Sequence, residues 1–218
     1  MSDSSSNHVP GPEDLVRALV EQGISDSRVL NAIADVRREL FVPVEYRDQA
    51  YANISLPIGF EQTISQPFIV AIMAQALELR PEDMVLEIGG GSGYAAAIMS
   101  KLAAKVYAIE RQPALADRAR ANLSAAGVSN VQLYCRDGTE GLSEHAPYDA
   151  ISIAAAARTI PSMLAEQLKV GGRIVLPMGE TKDSQSLYQC VKTSADNYNR
   201  VNLCDVTFVP LIGEGGWQ

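Results

Sequence analysis

The amino-acid sequence predicts an α/β protein: a doubly wound, three-layer α/β/α sandwich with a mostly parallel sheet and a helical N-terminal extension. Three observations carry this expectation. From residue 63 onward short apolar runs alternate with helical patterns, and the first of these runs empties into a cluster of glycines. A length of 218 residues with 47% hydrophobic content also suits one large domain.

The elements follow in order. Leu15, Val16, Leu19 and Val20 form a first helical face, ended by Gly23, and Val29, Leu30, Ile33 and Val36 form a second, with Ser25 or Ser27 as its cap. Residues 41–62 read as a loop, long enough to suggest a functional role. Pro67 suits a helix start, and Ile69, Val70, Met73, Ala74 and Leu77 give that helix its apolar face. Residues 84–88 read as a buried strand, followed by glycines and a helix to 102. Strand 106–109, helix 114–126, strands 131–135 and 148–153, helix 161–168 and strand 173–176 continue the alternation. Residues 187–192 and 201–209 read as strands that add antiparallel pairing. The expected organisation is a disordered tail over 1–12, a helical extension and loop over 13–62, and the main domain over 63–218, all one domain overall.

Composition narrows the function. A net charge of −8 without any basic block disfavours a nucleic-acid partner. No run approaches the roughly 18 apolar residues of a membrane span, and Met1 to Pro12 carries no Lys or Arg ahead of an apolar stretch, unlike a secretory signal. Cys135, Cys190 and Cys204 are odd in number and far apart, which suits reduced thiols in a cytoplasmic protein. Only His8 and His145 are present, so a histidine-based triad or a metal site has little material, and no metal is expected.

The central motif is Glu87-Ile88-Gly89-Gly90-Gly91-Ser92-Gly93-Tyr94, after a strand and before a helix. Glycines there let the chain turn tightly and let a ligand approach the main chain. The loop alone also fits a dinucleotide fingerprint, with Glu110 about 20 residues on to hold a ribose, so a nicotinamide dehydrogenase is a rival reading. Three acidic positions favour S-adenosylmethionine instead. Glu87 suits the cationic amino end of that ligand, whereas an anionic pyrophosphate gains nothing from it. Glu110 suits the ribose hydroxyls, and Asp137 in Arg136-Asp137-Gly138 suits the adenine amino group. Acidic residues at successive strand ends match the class I, Rossmann-like methyltransferases. The expected cofactor set is Glu87, Gly89, Gly91, Ser92, Glu110, Arg111, Asp137 and Gly138, with S-adenosyl-L-homocysteine as the product.

The methyl acceptor needs a separate argument. The Asn/Asp-Pro-Pro-Tyr/Phe run of base aminomethylation is missing; Ile153-Ala154-Ala155-Ala156-Ala157-Arg158 stands in its place. A carboxylate acceptor is ionised at neutral pH, titrating near ~4, and needs no general base. That fits a chain poor in histidine.

The segment Gly59-Phe60-Glu61-Gln62-Thr63-Ile64-Ser65-Gln66-Pro67, with its T-I-S-x-P core, resembles the signature of the protein-L-isoaspartate O-methyltransferases. Leu86 to Tyr94, Arg136-Asp137-Gly138, Ala146-Pro147-Tyr148-Asp149-Ala150, Gln167-Leu168-Lys169, Gly171-Gly172-Arg173 and Leu176-Pro177-Met178-Gly179 extend the resemblance from about Val16 to Leu211. It implies methyl esterification of L-isoaspartyl and D-aspartyl residues in damaged proteins and peptides, starting repair through a succinimide. It also implies Ser65 as the active-site serine, aiming the substrate carboxylate; capping of the following helix is the competing role. Thr63, Ile64, Ala155, Ala156, Met178 and Gly179 are expected to shape the peptide site. The chain departs from many relatives at Gly90, where they have Thr or Ser, and at Arg158-Thr159; Arg158 is a candidate for biasing the site towards acidic flanking residues. Methylation of one dedicated peptide partner, and a binding-only descendant of the fold, remain alternatives.

Overall fold

The computed structural model describes residues 9–181, 184–214 and 216–217, and the tail expected over 1–12 lies largely outside them. Helix α1 (Pro12–Glu21) begins inside that expected tail, with Pro12 in its first turn. Helix α2 (Ser27–Asp35) is capped by neither candidate serine: the Asp26 carboxylate accepts from Arg28 N–H at 2.9 Å. Residues 41–62, expected as loop, contain a short 3₁₀ stretch (Val44–Gln49) and most of a hairpin, β1 (Leu56–Gly59) with β2 (Gln62–Ile64). The expected boundary at 62/63 therefore cuts a hairpin.

The main sheet is built from β3 (Met84–Ile88), β4 (Lys105–Glu110), β5 (Val131–Cys135), β6 (Tyr148–Ile153), β7 (Leu168–Thr181), β8 (Ser184–Lys192) and β9 (Tyr198–Val206). Their order across the sheet is β5-β4-β3-β6-β7-β8-β9. The first five in that order pair in parallel, and β8 and β9 add an antiparallel meander. Helices α3 (Pro67–Leu77), α4 (Tyr94–Ser100), α5 (Pro113–Ala125) and α6 (Ser162–Gln167) connect or flank the strands.

Strand alternation sorts side chains between two cores. Val85, Val106, Ala108, Ala150 and Val175 join α1 to α5 on one face, while Leu86, Ile88, Ile109, Ile151 and Ile174 join Leu164 of α6 on the other. Leu15 and Leu19 of α1 and Ile33 of α2 sit in the same core as the sheet, so the extension shares the packing of the main domain. Gln75 of α3 reinforces this by accepting from Ser25 and Asp26 N–H at 2.8 and 2.9 Å. Asp149 serves as a structural tie within one of the family-like motifs: it accepts from Met84 N–H at 2.9 Å and pairs with Lys169 Nζ at 2.6 Å.

The order of the strands places the functional end. From β3 the chain moves outward to β4 and β5, then returns to the opposite side of β3 as β6, so the strand order reverses between β3 and β6. Ligands of open α/β sheets bind beyond the carboxyl ends at such a reversal. Gly89 and Gly90 N–H both donate to Ile109 O, at 2.9 and 3.0 Å, and Ala154 N–H donates to Ile88 O at 2.8 Å. These bonds fold the loop back over the sheet edge.

Gly93 and Gly90 differ in why they are glycine. Gly93 has φ +88°, and a Cβ there would lie 3.1 Å from Leu123 Cγ and 3.3 Å from Ala119 O. Gly90 is not left-handed, and an added Cβ would make ordinary contacts of 3.4 Å or more. Gly93→Ala should therefore lower unfolding free energy by at least about 1–2 kcal/mol. Gly90→Ala should leave it unchanged or raise it by about 0.4–1 kcal/mol, by restricting the unfolded chain. Urea titrations of both variants beside the parent test this contrast.

Candidate functional site

A cavity of about 1160 Å³ opens at the carboxyl ends of β3, β4 and β6. Its walls come from the hairpin tip and the segment through Gln66, the glycine loop, Glu110 to Gln112, Gly138, Ala154, Ala155 and residues 205–212. Glu87, Gly89, Gly91, Ser92, Glu110, Arg111 and Gly138 of the expected cofactor set line it, as do Thr63, Ile64, Ser65 and Ala155 of the expected substrate set.

Glu87 is the most unusual group in this wall. By alternation it shares the face of Val85, where α3 and α4 cover the sheet, and it is only 1% exposed. Its Oε2 has no hydrogen-bond partner. Burial, and secondarily the nearby Glu110 carboxylate, push its pKa from the ordinary 4.5 to about 8. Glu110 is also buried, but its two oxygens accept from Gly91 and Gln112 N–H at 2.9 and 2.8 Å. It thereby fixes the glycine loop and retains lone pairs for a ligand's hydroxyls. Ser92 is buried at the loop's end, with its Oγ 3.3 Å from Tyr94 N–H.

Asp137 does not line the cavity. Its Oδ1 accepts from Thr139 N–H and Thr139 Oγ1, both at 2.8 Å, and the backbone of Gly213 lies so close that a Cβ there would be 2.3 Å from Oδ1. One carboxylate oxygen thus braces its own turn, and Gly138 carries that turn to the cavity, its backbone packing directly on Ile88.

On the substrate side, Ser65 does not cap α3. The N-cap is Gln66, and Phe68 N–H is bonded by Asn53 Oδ1 at 2.9 Å from across the loop. Ser65 bonds through its carbonyl, to Arg38, and its hydroxyl makes no hydrogen bond among the described residues. Ala156, Met178 and Gly179 lie behind the wall. The Ala156 N–H donates to Val209 O at 2.8 Å, and its carbonyl accepts from Leu211 N–H and Trp217 Nε1 at 2.8 and 2.9 Å. That backbone is occupied by the chain's own C-terminal segment and has no room to dock a peptide. Met178 is packed into the second core. Gly179 is half-buried near the end of β7, where a Cβ would lie 2.0 Å from Ser184 O of the neighbouring β8. Arg158, the candidate selector of acidic neighbours, stacks on Trp217 with its guanidinium carbon 4.5 Å from the ring centroid, away from the cavity lining.

Sequence reasoning missed the far wall, formed by Ser184, Gln185 and residues 205–212. Gln185 brackets Phe208, donating from Nε2 to its carbonyl at 3.0 Å and accepting its N–H at 2.7 Å. The only sequence signal in this region was the Val209-Pro210-Leu211 tripeptide.

A reversed strand order, a glycine loop at the reversal and a buried carboxylate beside it define the class I, Rossmann-like methyltransferase architecture. Comparison with known proteins narrows this. The family described as protein-L-isoaspartate(D-aspartate) O-methyltransferase matches residues 11–216. The chain is 50% identical to protein-L-isoaspartate O-methyltransferase 2 of Marinobacter nauticus over 199 residues, covering 91% of each chain. It is 50% identical to the protein-L-isoaspartate O-methyltransferase of Dictyoglomus turgidum over 206 residues, covering 94% of this chain and 93% of the relative. A solved protein-L-isoaspartate O-methyltransferase superposes with TM-score 0.83 at 29% identity, covering 94% of this chain and 67% of that one. A Plasmodium falciparum structure assigned to the same enzyme family, in complex with S-adenosyl-L-homocysteine, shares the fold with TM-score 0.80 at 24% identity, covering 93% and 99%. The chain belongs to the protein-L-isoaspartate(D-aspartate) O-methyltransferase family.

The raised pKa of Glu87 has a definite sign in stability. Between about 4.5 and 8 the folded state keeps a proton that the unfolded chain has lost. The stability this group contributes is full below the lower value and is lost as pH rises through the upper one. Thermal unfolding of the ligand-free protein should therefore shift down between these pH values, and Glu87→Gln should flatten that shift. A ligand ammonium beside Glu87 favours the carboxylate, so binding S-adenosyl-L-homocysteine near neutral pH should release most of one proton. Calorimetry in buffers of different ionisation enthalpy reads that release directly.

Proposed function

We propose that this protein transfers a methyl group from S-adenosylmethionine to the carboxylate of L-isoaspartyl and D-aspartyl residues in damaged proteins and peptides. The buried Glu87 carboxylate, unpartnered at Oε2 within the cavity wall, is the observation that carries the cofactor assignment. An orphaned acidic oxygen in the cavity wall suits a cationic ligand, which favours its carboxylate form, whereas an anionic pyrophosphate gains nothing from it. This favours S-adenosylmethionine over the nicotinamide dinucleotide alternative.

When bound, S-adenosylmethionine supplies an electrophilic methyl on a sulfonium centre. Glu87 would hold the ligand's amino end and Glu110 its ribose hydroxyls, while Gly89 and Gly91 admit it close to the main chain. Ser65, with its hydroxyl unclaimed by other groups, donates a hydrogen bond to the substrate carboxylate and orients one oxygen for attack. No side chain needs to remove a proton, because the acceptor is already ionised. Thr63 and Ile64 shape the wall beside Ser65, and Ala155 leaves space for the peptide. Methoxide leaves the ester far more readily than oxide leaves a carboxylate, so the backbone nitrogen attacks the ester carbonyl and closes a succinimide with loss of methanol, without further help from the protein.

The partners are proteins bearing isoaspartyl residues, and the cytoplasm is the proposed location. Among the described residues no helix is long and apolar enough to cross a membrane. None of the described His, Cys, Asp and Glu residues gather in threes as a metal-binding group.

Labelled methyl transfer to an isoaspartyl peptide, measured beside its normal aspartyl twin, tests the assignment. Label should appear only on the isoaspartyl peptide and be released by base as methanol. Ser65→Ala should lower kcat/KM for that peptide on the order of 10–100-fold through loss of orientation. Equal labelling of both peptides would refute the substrate assignment.

A further inference from the structure

The least expected side chain in the molecule is Arg38. It is 0% exposed, at the start of a 3₁₀ turn (Arg38–Leu40) ahead of the hairpin. Among the described residues no carboxylate pairs with it. The adjacent Glu39 is turned away, bonded to Arg37 Nε at 2.8 Å and to the Tyr51 hydroxyl. Burial pulls the guanidinium pKa down, opposed by the nearby Tyr94 side chain, and Nε and Nη1 meet no acceptor in good hydrogen-bond geometry. A buried, unpaired cation is a poor stabiliser, and an apolar side chain of similar volume does at least as well in such places. Its presence calls for a reason other than folding.

Its contacts supply one. Arg38 Nη2 donates to the Ser65 carbonyl at 3.0 Å, and lies 3.4 Å from the Ile54 carbonyl. The guanidinium carbon sits 4.7 Å from the ring centroid of Tyr94, the first residue of α4 and the one that follows the glycine loop. Phe41 closes the far side of that ring edge-on, with centroids 5.6 Å apart. One planar group thus joins the peptide unit carrying the active-site serine to the helix that begins at the cofactor loop. A guanidinium can donate in its plane and stack on an aromatic face at once, which an ammonium cannot.

We propose that Arg38 is a positioning residue for methyl transfer, holding the Ser65 backbone in fixed relation to Tyr94 so that the serine hydroxyl faces the cofactor loop. This rests on the assignment of Ser65 above. Arg38 touches neither ligand; it acts through Ser65.

The test compares Arg38→Met, Ser65→Ala and the double variant, using full-length protein and an isoaspartyl peptide at saturating S-adenosylmethionine. Arg38→Met should reduce kcat about 10–100-fold, as expected for a misplaced reacting group, while S-adenosyl-L-homocysteine affinity changes less than about threefold. Its melting temperature should stay level or rise, because an unpaired buried charge has been removed. The double variant should be no slower than the slower single one. Parent-like kcat in Arg38→Met overturns the proposal. So does a loss that disappears once corrected for unfolded protein, or one that multiplies with that of Ser65→Ala. Parent-like activity in Ser65→Ala instead removes the Ser65 assignment, and with it the route through which Arg38 acts. Should Arg38→Met not fold, Arg38→Lys keeps a charged donor group without the planar stack; an intermediate kcat supports positioning, and a parent-like one refutes it.

Discussion

The site depends first on where β3 lies. With β4 paired to one edge and β6 to the other, both in parallel, the connections leaving the three strands must diverge. The space that opens between them cannot be filled by the strands themselves. Most of the residues expected to hold the cofactor gather there, on a floor in which two loop N–H groups fold back on Ile109 O and Glu110 accepts from Gly91 in the loop and from Gln112 beyond β4. The glycine loop is therefore shaped by the neighbouring strand, and the substrate wall only has to meet a surface that is already rigid.

Against that rigid floor stand two buried ionisable groups, one acidic and one basic, that do not pair with each other. Glu87 belongs to the sheet and has an unsatisfied oxygen; Arg38 belongs to the extension and has two unsatisfied nitrogens. Each breaks the rule that buried ions are paired, and such local violations are tolerated chiefly where function needs them. Their placement divides the labour. The acidic one is left open towards the cavity, and the basic one is closed off beneath the serine that reaches it. The extension is thus more than a cover, since it contributes the cation that ties substrate wall to cofactor helix.

Much of the framework was legible in the sequence because it is local. Strands 84–88, 131–135 and 148–153 were read to the residue, as short, mostly apolar segments bounded by turn signals. The hairpin of β1 and β2 was not, because its turn uses Phe60 and Glu61 at φ +55° and +57°, where Asn-Gly would have announced it. Strand β7 begins at Leu168, before the glycines at 171 and 172 that made residues 173–176 look like the whole of it. The site divides the same way. Glu87, Glu110 and Ser65 stand in motifs, whereas the wall at 205–212 exists only because the meander brings the chain back across the sheet ends. Ala156, Met178 and Gly179 lie outside the cavity lining, because neither small size nor membership of a motif says which residues hold the chain together.

The Trp217 indole, hydrogen-bonded to the Ala156 carbonyl and stacked by Arg158, is the only tryptophan in the chain. Its emission therefore comes from a single place, just beyond the segment 205–212 that lines the cavity. The protein carries an intrinsic optical reporter of how its C-terminal segment is seated against Ala156, with no label and no competing fluorophore of its kind.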